Sequence, residues 1–418
     1  MDLYEKVKSI CTDGARTMIS DKNGVVGLMK ADIQLRGLLS IHCLSHRLNL
    51  CVTDFWDGDK PLKEINQLIY NICKFFMNSR NKFNILKGHE KQILDLELRL
   101  IKPIDIRWMS KFTAIKRILL LYPALVKTLS DLSFNNKDLC AAGILIKLKN
   151  FRILSHLLIL NDIDHIISPL NQIFQKRDLD LEQLEAAFQL TRLKLEDLID
   201  QKKIGNHLQI FLTEVEKMKK YQKIEFTFKD SDVEYVKNRS IDFWKITKNS
   251  LEKRLGTIGD FVPLRIFRLE NIKKFKTNTN EFRTFGLAEI KRLSIRYGVV
   301  ENEAIESWCE FKHLVSAYPE KKSEDLYDLA LKLPGISAIK MFIEIFLSFS
   351  FSSNECERTF SRYSLIKSDL RCALKIDSMD HLLNIGLNGP SFEDFNFLEP
   401  IEVWKKLKIR YFITDQIK

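Results

Sequence analysis

The chain has 418 residues, 45% of them hydrophobic, enough for a large core and, by length, for two or three domains. Glycine (15) and proline (9) are sparse, which favours helices and argues against an all-β chain built on tight turns. A net charge of +11 and a pI near 9.1 make a polyanion, nucleic acid first, the partner class to test.

In chain order, residues 7–13 (VKSICTD) read as a short strand ending at Asp13-Gly14. Residues 23–36 carry helical periodicity, and 38–46 (LLSIHCLSH) read as a strand running into a helix, RLNLCVTDF. From about residue 62 the pattern is helical, with Ile65, Leu68, Ile69, Ile72 and Phe75/Phe76 on one face. Residues 99–110 are expected to be extended, since Pro103 drives its predecessor out of the helical region, and Trp108 is expected to open the next helix. From about 130 to 320 only helix signals occur, without a solenoid period or a low-complexity linker. Basic clusters at Lys217, Lys219, Lys220 and Lys223, and at Lys273, Lys274 and Lys276, read as solvated helix faces or as contacts to a nucleic-acid backbone. The apolar run MFIEIFLSFSF then leads into SSNECERTFS, residues 352–361. Two helices closed by Gly386 and Gly389 follow, and then an amphipathic tail, IEVWKKLKIRYFI.

The eight cysteines, at 11, 43, 51, 73, 140, 309, 356 and 372, contain no C-x-x-C pair. They read as buried small hydrophobes in a reducing compartment. Neither a signal-peptide core nor a run long enough for a membrane span is visible, so a soluble intracellular protein is expected. P-loop, dinucleotide, nucleophile-elbow and HExxH motifs are absent, which gives no support to the usual nucleotide-cofactor and zinc-protease chemistries.

Ser352 and Glu355 fit a capping box, which leaves Glu357 beyond the cap unexplained. Asp13, at a strand end beside a glycine, suits a rigidly held catalytic or metal-binding acid and equally a turn residue. Cys43 and His46 have C-x-x-H spacing, but a structural zinc site takes four ligands and no second pair is visible, so zinc is not expected. Trp108, after Arg107, reads as a core aromatic or a base-stacking platform.

The order CTDGARTM…NGVVGLM, IHCLSHRLNL, DIRWMS, a long helical stretch and SSNECERTFSRYSLIKSDLRCAL resembles the hAT superfamily of DNA transposases and its domesticated derivatives. The resemblance spans nearly the whole chain. It is strongest over 8–50, 103–112 and 334–390, and weakest in the helical stretch. It implies an α/β fold with dominant helix: an RNase H-like core interrupted by a large all-α insertion. The core then resumes in the segment known as the hAT dimerisation region. Domains are accordingly expected at 1–125 (core), 126–320 (insertion), 321–392 (core with dimerisation region) and 393–418 (helical tail). By the same resemblance Glu357 matches the catalytic glutamate and Asp13 the second catalytic aspartate. Cys43 and His46 match the C-x-x-H pair. Trp108 matches a tryptophan near the scissile DNA, flanked by Arg107, with Arg358 beside Glu357 also DNA-proximal. In such a core, carboxylates clamp two Mg²⁺ ions that activate the attacking oxygen and stabilise the leaving one. Dimerisation is expected through Cys356, Phe360, Tyr363, Ile366 and Leu370 on one helix and Leu382 and Leu383 on the next.

The family's first aspartate lies well upstream of its second, whereas twelve residues precede Asp13 here. The core is therefore expected to lack its leading strands, the first carboxylate and an N-terminal zinc finger. The expectation is a transposable-element-derived protein, inactive in cleavage as written. It would act in the nucleus through homodimerisation and binding to double-stranded DNA, without a membrane or small-molecule partner. Two alternatives stay open: a fragment of an active Mg²⁺-dependent cut-and-paste transposase, and a helical scaffold with no nucleic-acid role whose carboxylates are caps.

Overall fold

Residues 7, 9–32, 38–57, 59–95, 97–103, 109–176, 181–368, 371, 373–391 and 393–407 are described in the computed structural model. Its first elements are two strands, β1 (Ser9–Thr12) and β2 (Leu39–His42), paired in parallel with Ser9 opposite Leu39 and Thr12 opposite His42. Parallel strands need a crossover, supplied here by helices α1 (Arg16–Ile19) and α2 (Val25–Ala31). Leu39 and Ile41 alternate into the core from β2. The expected strand over 38–46 stops at His42, because α3 (Leu44–Asp57) begins at once. His46 is therefore helical.

Helix α4 (Lys60–Met77) follows its sequence pattern: Ile65, Leu68, Ile69, Ile72 and Phe76 are buried on one face, and the Asp59 side chain accepts the Leu62 N–H at 3.2 Å. Helix α5 (Arg80–Leu94) is capped by Ser79 and ends at Asp95 in the left-handed region. The segment expected to open a helix at Trp108 instead enters α6 at Ser110, after Met109 at φ 55°. Trp108 and Arg107 themselves lie outside the described residues. The long helix expected after them is two, α6 (Ser110–Leu120) and α7 (Tyr122–Asn135). Pro123, which has no N–H to give to a continuing helix, sits in the first turn of α7.

Helix α8 (Leu139–Leu148) precedes α9 (Phe151–Phe174), which is buried almost all round and packs against α3, α6 and α8. An all-round apolar helix is a central one. Helices α10 (Leu181–Asp200), α11 (Asn206–Met218) and α12 (Asp230–Leu255) complete its surroundings. Between α11 and α12 lies a two-stranded antiparallel hairpin, β3 (Lys220–Tyr221) and β4 (Ile224–Glu225), within a region expected to be helical throughout. Asp162, buried on α9, accepts the N–H groups of His207 at 2.9 Å and Leu208 at 3.1 Å and so closes the start of α11.

A 3₁₀ segment (Gly256–Phe267) leads to α13 (Leu269–Lys273), α14 (Asn280–Thr284), α15 (Leu287–Tyr297), α16 (Glu301–Ala317) and α17 (Ser323–Ala330). A second 3₁₀ segment (Pro334–Ile339) then runs into α18 (Lys340–Ser348). Trp308, Phe311, Phe267 and Phe342 form an aromatic core here, and the Trp308 indole donates to the Phe285 carbonyl at 2.7 Å. One hydrophobic core runs from Leu39 to Phe351.

The chain divides into two compact units, Met1–Ser353 and Asn354–Lys418. The second holds α19 (Asn354–Ile366), α20 (Ile376–Asn388), which packs on α19, and α21 (Leu398–Leu407). Gly386 lies inside α20 rather than closing it, and Gly389 follows its end. Among the described residues the architecture is mostly helical, and no helix is long and apolar enough to cross a membrane.

Candidate functional site

The turn after β1 and the junction between β2 and α3 come together because the parallel register continues one residue past the strands: the Cys43 N–H donates to the Thr12 carbonyl at 2.7 Å. Asp13 is exposed on this turn. Its Oδ1 accepts the Ala15 N–H at 3.0 Å, a local bond that orients the carboxylate. Gly14 has φ +78°, and a Cβ there would collide with the imidazole of His42. Only glycine lets β1 turn this closely over His42.

His42 and His46 stand with ring centroids 5.4 Å apart. Burial, and then the electrostatic influence of His46 and Arg47, push the His42 pKa down to about 4, so the ring is neutral near pH 7. Its Nε2 and the Thr12 hydroxyl are buried without a hydrogen-bond partner.

Cys43 is fully buried and sits at the N-cap of α3. A hydrogen bond from Cys11 is the largest influence on its thiol, followed by the groups of Ser353 and the His46 amide, and together they lower the pKa to about 5 against the opposing effect of burial. A sulfur at a helix N-terminus ringed by donors is held as thiolate. The C-x-x-H spacing thus has a direct physical role, since the amide of His46 reaches back to the sulfur of Cys43.

The third part of this junction comes from far along the chain. Ser353 N–H donates to Cys43 Sγ at 3.3 Å, Leu44 N–H to the Phe351 carbonyl at 2.9 Å, and the Ser9 hydroxyl to the Ser348 carbonyl at 2.8 Å. Asp13, Cys43 and His46 are therefore gathered at one strand end. His42, Cys11 and Ser353 join them without having been singled out in the sequence. Only their pairing register brings them there.

Glu357 and Arg358 belong to the C-terminal unit, not to the unit that holds Asp13. The capping box read from Ser352 and Glu355 falls one residue short, because α19 starts at Asn354. Glu355 and Glu357 both lie in the first turn of α19, where the helix dipole favours carboxylates, and Glu355 pairs with Arg358. Glu357 thus has a structural reason to be acidic as well. Cys356, Phe360, Tyr363 and Leu382 are exposed, Ile366 and Leu383 are half-buried, and Leu370 lies outside the described residues. The stripe expected to reach Leu370 stops with the helix at Ile366.

Among the described residues no group of three or more His, Cys, Asp or Glu is placed to hold a metal ion. No protein-family model matches the chain.

Proposed function

We propose that the chain is a hAT-transposase-derived protein with an RNase H-like core, acting in the nucleus by association with a second copy of itself and with DNA. The observation that carries the reading is the return of the chain to its strand pair. After the helical stretch, residues 348–353 clasp β1, β2 and the start of α3 through the Ser348, Phe351 and Ser353 bonds. Such a return supports the reading of a core interrupted by an insertion. The block that follows immediately is the one that resembles the family's dimerisation region.

Self-association is supported by the C-terminal unit, where Phe360 is 64%, Leu365 81% and Ile385 64% exposed. Apolar side chains left open on two packed helices suit a self-complementary contact. In this reading Asp13 and Glu357 are carboxylates of the family's catalytic set, and Arg107, Trp108 and Arg358 are its DNA-proximal residues.

Light scattering after size exclusion tests the association. The wild type is expected at twice the 49.0 kDa chain mass and Phe360→Asp/Ile385→Asp at the chain mass itself. A wild type that stays monomeric at every concentration overturns the reading, and a double variant that stays dimeric removes this unit from the contact.

A further inference from the structure

We infer that the groove between α5 and the segment 97–100 is the surface that grips the phosphate backbone of a nucleic acid. The inference rests on the DNA part of the proposed function and assigns it a place.

The lysine clusters that stand out in the sequence are largely engaged within the protein. Lys220 pairs with Glu225 at 3.1 Å, and Lys219 lies over the Phe228 ring at 4.2 Å. Lys273 donates to the Pro319 carbonyl at 2.6 Å and Lys274 to Asn271 at 2.9 Å. Four of the seven cluster lysines are thus engaged within the protein, although all seven residues stay exposed at the surface.

A different set of cations is open. A groove of about 490 Å³ is lined by Arg80, Phe83, Asn84 and Lys87 of α5 together with Met77, Arg99 and Leu100. Among the described residues neither guanidinium, Arg80 or Arg99, has a hydrogen-bond or ion-pair partner, and both residues are exposed. Lys87 pairs with Glu97 at 3.5 Å, a carboxylate that is itself 56% exposed. Arg80 and Arg99 are thus the open cations of the groove, while Lys87 is engaged with Glu97 and lies 5.6 Å from the centre of the Phe83 ring.

The groove is also firmly built. Glu90, buried on α5, accepts the Leu98 N–H at 2.9 Å, and Arg117 donates to the Arg99 carbonyl at 2.9 Å. These two bonds tie the segment to α5 at Leu98 and to α6 at Arg99, so the guanidinium is carried by an anchored backbone. Positions 80, 84, 87 and 91 recur at the spacing of one helix face, and Lys91 extends the basic row to about 16 Å. A row of that length meets more than one phosphate, since each strand carries one phosphate per ~3.4 Å of duplex axis. Arginine forks match phosphate oxygens bidentately.

The test is anisotropy of a fluorescein-labelled DNA duplex with the full chain over a salt series. Removing two phosphate contacts in Arg80→Gln/Arg99→Gln is expected to flatten the slope of log K against log salt by about 2 and to weaken binding at least tenfold at low salt. Lys220→Gln/Lys274→Gln, folded comparably by circular dichroism, is expected to keep the wild-type slope. An arginine variant with an unchanged slope, while the wild type binds, overturns the groove and leaves DNA association standing. A wild type that fails to bind at low salt overturns both.

Discussion

Two side chains at the strand end carry opposite lessons about charge. His42 is kept neutral chiefly by burial, and Cys43 is kept ionised chiefly by the hydrogen bond from Cys11 and then by Ser353 and His46. The unfolded chain protonates an ordinary histidine below about pH 6.5 and an ordinary thiol below about pH 8.5. Folded His42 takes its proton only near pH 4, and folded Cys43 near pH 5. In both windows the unfolded chain binds more protons, so stability rises with pH. As pH falls, the Cys43 contribution is withdrawn between about 8.5 and 5, and the His42 contribution between about 6.5 and 4. The urea midpoint is expected to be higher near pH 8 than near pH 5, with Cys43→Ala losing the part above about pH 6.5. A midpoint indifferent to pH, or one unaffected by Cys43→Ala, sinks this account. Asp13, Cys43 and His46 were legible in the sequence because a glycine turn and a short spacing mark them. Cys11 and His42 were not, since nothing local says that residue 11 pairs opposite Ile41 or that the His42 ring lies under Gly14.

Elements were readable where periodicity was strong. The buried face of α4 is the predicted one because its apolar residues recur at 3.6-residue spacing, leaving one packing solution. The β3–β4 hairpin was invisible: its turn residues Gln222 and Lys223 adopt φ 48° and 67° without the Asn-Gly signal that usually marks such a turn. Helix ends matter equally. Lys312 of α16 is 1% exposed and gives its ammonium to the carbonyls of Phe282 at 2.6 Å, Arg283 at 2.9 Å and Phe285 at 3.3 Å. It closes the end of α14 by tying it to α16. Lys312→Met keeps the stem but leaves these acceptors unpaired, and is expected to cost about 2–3 kcal/mol in urea unfolding. A loss below about 0.5 kcal/mol, the size of an ordinary surface change, means that water satisfies those carbonyls equally well.

At the scale of the molecule, the resemblance assigns Asp13 and Glu357 to one catalytic metal site, whereas the chain carries them in separate compact units. Mn²⁺ titration followed by the loss of its free-ion paramagnetic signal separates the possibilities. If the carboxylates share an ion, Asp13→Asn and Glu357→Gln each abolish binding, and the double variant is no worse than either single one. Binding that survives both substitutions means that Asp13 is a turn residue and Glu357 a dipole-matched residue of α19. The order of motifs made the return of the chain an expectation. The atoms that close it, a serine amide and a cysteine sulfur, carry no sequence signal of their own.

That closure also sets a timetable for synthesis. Cys43 and Ser353 are separated by 310 positions. A ribosome adding ~5–20 residues per second needs roughly 15–60 s to bridge that interval. Helices and their neighbouring contacts form within microseconds to milliseconds, so the helical body is packed long before its clasp exists. Until Ser353 emerges, the sulfur of Cys43 lacks that amide and the end of the strand pair lacks its cover. The strand end is thus the last part of this unit to mature, and the stretch a chaperone meets longest on the nascent chain.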